Sequence, residues 1–132
     1  MSIPFYCVTV AFCLLFLTKV PVGVAMGQMP KGYNNRHPRD QQAQLVGWGR
    51  RALAAHMNAF ESFPPFAAAV LVAHVANADP TWSAGLAIGH VVARVAYTAA
   101  YIADIHAVRT SIWFTSTFCT LALFLLPVFG PN

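Results

Sequence analysis

The chain has 132 residues, of which 58% are hydrophobic and only 9% charged, with a net charge of +4. Soluble domains carry roughly 25% charged residues, and a chain this short cannot hide that much apolar surface in its own interior. A small soluble domain is therefore excluded, and an all-α integral membrane protein is the expectation.

The first stretch, MSIPFYCVTVAFCLLFLTKV, has no positive leading region and a long apolar run. It is expected to be a spanning helix, roughly Ile3 to Met29, rather than a cleaved signal. The following PKGYNNRHPRD carries Pro, Gly and Asn and reads as a loop. Lys31, Arg36, Arg39, Arg50 and Arg51 cluster in and just after it. Between two apolar stretches such a cluster signals membrane topology, not nucleic acid.

A second helix is expected roughly from Gln44 to Asn77, too long for one crossing at about 1.5 Å per residue, so its first turns should protrude. A third is expected from Trp82 to Ala103 and a fourth from Thr110 to Phe129, joined by the turns NADPT and DIHAVR. Short connections make successive helices antiparallel neighbours, an up-down four-helix bundle. The basic first and third loops should face the cytoplasm, with both termini opposite. A bacterial inner membrane and an endoplasmic reticulum membrane fit equally. Cys7, Cys13 and Cys119 all lie in apolar runs and form neither a disulfide framework nor a metal motif. No metal or nucleotide motif occurs.

Two ionisable residues sit where a span should be apolar. Glu61 lies ten positions beyond Arg51, and Arg94 lies ten before Asp104. Each is about 15 Å from the same end of the bundle. An isolated charge at that depth costs roughly 2.5–3.5 kcal/mol, so the two are expected to be neighbours, within one chain or across a subunit boundary. His90, Arg94, Tyr97, Tyr101 and Asp104 share one helical stripe, and Arg51, Asn58 and Glu61 fall close to one face of the preceding helix. Two inward polar stripes imply a cleft open to the cytoplasm. Arg suits an anionic, peptide-like ligand there; a register lock between helices explains the charged pair alone equally well. Proline inside a helix removes a backbone bond and bends it, so Pro64–Pro65 is expected to kink the second helix where the cleft ends. His56 falls on another face and is expected between helices, and His74 is expected to bond locally.

The segment RRALAAHMNAFESFPPF resembles the second-helix signature of the MAPEG family, membrane-associated proteins of eicosanoid and glutathione metabolism. ARVAYTAAYIADIHAVRTSIW is similar to the family's third-helix stretch and the basic turn after it, and GQMPKGYNNRHPRD to its first loop. The resemblance covers essentially the whole chain, in order. It implies a homotrimer of four-helix subunits with glutathione, as cosubstrate, bound between neighbours near the cytoplasmic face. A lipophilic small-molecule substrate then arrives through the lipid bilayer.

By the same resemblance Arg51, Asn58, Glu61, Arg94, Tyr97 and Asp40 match glutathione-binding positions. Arg109 matches an arginine that stabilises the thiolate, with Thr110 and Tyr101 beside it as catalytic candidates. Ala54, Met57 and Pro30 stand where family members carry basic residues. Two functions follow from the resemblance. One is a glutathione-dependent transferase or peroxidase for lipophilic electrophiles or hydroperoxides. The alternative is a non-catalytic lipid-binding or accessory subunit of a larger membrane complex.

Overall fold

The computed structural model of the chain describes residues 1–129, and every regular element among them is helical. Helix α1 spans Ile3–Leu17 and α2 spans Lys19–Gly27. They are one long segment interrupted at Thr18, and the cause is Pro21. It has no N–H to give the Leu17 carbonyl, and its ring crowds that carbonyl. The Thr18 hydroxyl turns back to the Leu15 carbonyl at 3.2 Å and also meets His56 Nδ1 at 3.0 Å.

The basic loop holds a short helix that the sequence reading did not anticipate, α3 at Pro38–Ala43. Gln41 organises the chain around it. Its side-chain amide donates to the Gly32 carbonyl at 2.7 Å and the Met26 carbonyl at 3.3 Å, and its oxygen accepts from Asn34 N at 2.8 Å. Asn34 Oδ1 in turn accepts from the backbone of Arg36 and His37, each at 3.0 Å.

Helix α4 runs from Gly47 to Val75. It begins three residues later than the expected Gln44, because Val46 is extended and Gly47 has a positive φ of 59°. It continues through Pro64 and Pro65 without ending. Its close approach to α2 depends on Gly49, where an added methyl would lie 2.8 Å from the Ala25 methyl. Helix α5 spans Pro80–Ile102. Asp79 starts it, accepting from the backbone of Thr81 at 2.9 Å and Trp82 at 2.8 Å, with Pro80 in the first turn. Asp104, at φ 63°, makes the turn that ends it. Helix α6 spans His106–Leu125, followed by one 3₁₀ turn at Leu126–Phe129. Only Asp104 and Ile105 of the expected DIHAVR turn precede it, and Arg109 and Thr110 lie inside α6.

Neighbouring segments run antiparallel. Along α1 and α4, Phe5 meets His74, Phe12 meets Phe63 and Thr18 meets His56. Along α4 and α5, Phe66 meets His90 and Arg51 meets Ile102. The contact between helices is built from small residues: Ala11, Ala69, Ala73 and Ala87 surround Phe66, Val70 and Leu123 in the larger core. Small residues let helix backbones approach closely, which is how helices associate in lipid. The outer surface is conspicuously apolar, with Phe16, Phe114 and Phe118 all exposed. Among the described residues, three segments are long and apolar enough to cross a membrane: Ile3–Gly27, Pro80–Ile102 and His106–Phe129. The 29-residue α4 is long enough, but Arg50, Arg51, Asn58 and Glu61 lower its hydropathy below that of the other three.

Candidate functional site

Arg94 on α5 is the centre of the polar region. It is 5% exposed, and its guanidinium donates from Nη2 to Asn58 Oδ1 on α4. Asn58 Nδ2 donates onward to Glu61 Oε2 at 3.2 Å. Arg94 and Glu61 are therefore joined through an amide, and make no direct ion pair among the described residues. The i, i+3 spacing of Asn58 and Glu61 places them on adjacent turns of one helix face, which is what lets one side chain reach both partners. Arg94 Nε is buried without a hydrogen-bond partner among the described residues. An unmatched donor on a buried cation is costly.

Aromatic rings continue the line toward the α5–α6 turn. The Arg94 guanidinium lies 4.2 Å from the centre of the Tyr97 ring. Tyr97 packs edge-on against Tyr101 at 5.7 Å, and Arg109 lies 4.4 Å from the centre of the Tyr101 ring. Cations over aromatic faces are attracted by the ring quadrupole. The sequence stripe is thus realised as a ladder of guanidinium, phenol, phenol and guanidinium. At its end Arg51 on α4 donates from Nε to the Ile102 carbonyl at 3.1 Å, satisfying one of the free carbonyls that close a helix.

A cleft of about 250 Å³ opens over the inner part of the ladder between α4 and α6, lined by Asn58, Glu61, His90, Arg94, Trp113 and Thr117 among others. Its floor includes a feature to which sequence reasoning gave no role. His90 is 2% exposed and stacks flat on Phe66, rings 3.9 Å apart and 5° from parallel. Its Nδ1 lies 3.1 Å from both the Ser116 carbonyl and Thr120 Oγ1. The stripe on α5 already contained His90; nothing in the sequence said which aromatic residue it would stack on.

Not every expected site residue joins. Asp40 is exposed on α3 and bonds to none of the others among the described residues. Thr110 is exposed, and its hydroxyl already donates to the His106 carbonyl at 3.0 Å. Asp104 shapes the turn after α5 and is exposed there. His56 does link two helices, through Thr18, whereas His74 packs edge-on against Phe5 at 4.9 Å. Ala54 and Met57 line a groove of about 360 Å³ between α3 and α4, next to Arg50.

With this linked set of Asn58, Glu61, Arg94, Tyr97 and Tyr101 on apolar helices in view, the family model described as the MAPEG family matches residues 3–129. The chain belongs to the MAPEG family. Neither a curated protein nor a solved structure matches it. As a MAPEG protein with three helices of spanning length and hydropathy, it is an integral membrane protein.

Proposed function

We propose that this MAPEG protein is a membrane-embedded, glutathione-dependent transferase or peroxidase acting on lipophilic electrophiles or hydroperoxides. The observation that carries the reading is the buried Arg94, held by Asn58 and lining the cleft between α4 and α6 with Glu61. Its guanidinium is the cation that a carboxylate of glutathione needs there. Glu61 suits the tripeptide's ammonium group, and Arg51 and Tyr97 extend the same surface. Arg109, above the Tyr101 ring, favours the ionised thiol as a nearby cation does. Tyr101 is the donor placed to protonate a departing oxygen. Thr110 serves less well, because its hydroxyl is engaged within α6. Asp40 contributes only if a neighbouring subunit brings its exposed carboxylate to the site.

The reading includes a fourth membrane crossing by α4 and a homotrimer. Glu61 is exposed on the single chain, and a carboxylate facing lipid at that depth is costly. A neighbouring copy packed on this face removes the penalty and closes the site.

A second reading, a non-catalytic lipid-binding or accessory subunit, is favoured by Ala54 and Met57. They line a groove beside Arg50, at positions where the family resemblance implies further basic residues. Titration of purified protein with glutathione, followed by calorimetry and by thiolate absorbance, separates the two. Saturable binding at millimolar glutathione with a thiolate signal supports the enzyme; no heat and no signal supports the accessory protein.

A further inference from the structure

At the end of the bundle that carries the basic loop, three basic side chains meet away from the ladder. His56 lies five residues, about 8 Å, inward of Arg51 on α4, and about 140° round the helix from Glu61. Its Nδ1 meets the Thr18 hydroxyl at 3.0 Å, at the α1–α2 break, which leaves Nε2 for a further partner. Lys19, the first residue of α2, is half-buried beside Thr18. Arg39 approaches from α3. The charges of Lys19 and Arg39 both bear on His56, and that of Arg39 bears on Lys19.

No acidic side chain offsets them among the described residues. The chain has four acids. Glu61 is engaged by Asn58, Asp79 by the backbone of Thr81 and Trp82, and Asp104 sits in the turn after α5. Asp40 is exposed on α3, and its charge does not figure at Lys19 or His56. Like charges held together repel, and a half-buried cation without a counter-ion is costly in a membrane protein. An anion from outside the chain relieves both.

Exposed rings continue from the cations. Phe60, one turn beyond His56, is exposed and packs edge-on against it at 5.1 Å. On α1 the exposed Phe16 packs against the exposed Phe12 at 5.2 Å, and Phe12 meets Phe63 of α4 at 5.9 Å. Because α1 and α4 are antiparallel, both sets of rings step away from the cations in the same direction. Cations at one level and apolar rings at the next match a molecule built in that order, an anionic head followed by acyl chains. Basic residues between helices at the headgroup level hold such heads; Lys supplies a compact charge and Arg a fork for phosphate oxygens. A soluble anion satisfies the cations but leaves the rings unused. We propose that Lys19, Arg39 and His56 hold the phosphate of an anionic phospholipid whose chains lie along Phe60, Phe16 and Phe12.

Native mass spectrometry of the detergent-purified protein tests this, with dioleoyl phosphatidylglycerol, dioleoyl phosphatidylcholine and dioleoylglycerol as probes. Phosphatidylglycerol is expected to bind saturably and about tenfold more tightly than either of the others. Lys19→Gln and Arg39→Gln should each weaken it about fivefold, as the loss of one basic residue near an anionic head does. Arg39 is exposed, so its variant keeps the test intact if Lys19→Gln disturbs folding. Lys31→Gln, at an exposed position of the basic loop, should leave the affinity unchanged. Equal affinity for phosphatidylglycerol and phosphatidylcholine overturns the proposal. So does a loss in Lys31→Gln equal to the losses at Lys19 and Arg39, which is diffuse attraction to the whole loop. Displacement of the lipid by millimolar inorganic phosphate or glutathione also overturns it, by assigning the cations to a soluble anion.

Discussion

Asn58 holds Arg94 from the neighbouring helix, and the amide passes the link on to Glu61. A neutral side chain thus mediates between two charges that the sequence reading paired directly. Both ends of the amide are used, oxygen toward the cation and nitrogen toward the carboxylate. Asn58→Leu has the size but neither group. It should destabilise the protein by about 1.5–3 kcal/mol, the usual worth of a hydrogen bond to a charged group. Thermal unfolding in detergent measures it, and an unchanged midpoint means that Arg94 finds another acceptor.

The flat stack of Phe66 on His90 sits where α4, α5 and α6 meet. Phe66 is fully buried, so Phe66→Ala removes the stacking face and leaves a cavity. A loss of about 3–5 kcal/mol is expected for such a truncation, read from denaturation of the purified protein. Phe66→Leu should recover part of it.

Glu61→Ala tests the assembly. If the exposed carboxylate is covered by a second copy, the variant should lose trimer in favour of smaller species, measured by light scattering during gel filtration. A trimer fraction equal to that of wild type would remove Glu61 from the subunit contact.

Arg109→Ala leaves Tyr101 in place but removes the cation over its ring. Thiolate absorbance in the presence of glutathione should fall to the level of free glutathione at the same pH, while the oligomer persists. Retention of the signal would assign thiolate stabilisation to another residue.

Gln41→Ala removes three hydrogen bonds, two that tie α3 to the basic loop at Gly32 and Asn34 and one that ties it to α2 at Met26. Trypsin cleavage at Lys31 and Arg36, both exposed, should accelerate by an order of magnitude, because proteolysis tracks the open population. Equal rates would mean that the loop is held elsewhere.

How far the sequence could be read depends on the kind of signal each feature left. The long helices were legible because apolar runs of this length leave few alternatives, and their ends were missed by a few residues where a turn needed a particular backbone angle. Val46–Gly47 delayed α4, and Asp104 placed the α5–α6 turn earlier than the basic residues suggested. The α1–α2 break follows from Pro21, whereas the apolar run alone predicts one uninterrupted helix from Ile3 to Met29. Pro64 and Pro65, by contrast, lie within one continuous helix. Helix α3 was invisible because its stability comes from Gln41 reaching back across the loop, not from local periodicity.

The polar stripes on α4 and α5 were determined by the sequence alone. Helical spacing at 3.6 residues per turn puts Arg94, Tyr97 and Tyr101 on one line whatever surrounds them. Only the tertiary structure decided what each of those residues touches. The partner of Arg94, the ring beneath His90 and the gathering of Lys19 and Arg39 beside His56 all depend on how two helices are rotated and slid against each other. A one-dimensional pattern names the face of a helix, and the packing of small residues between helices sets which faces meet.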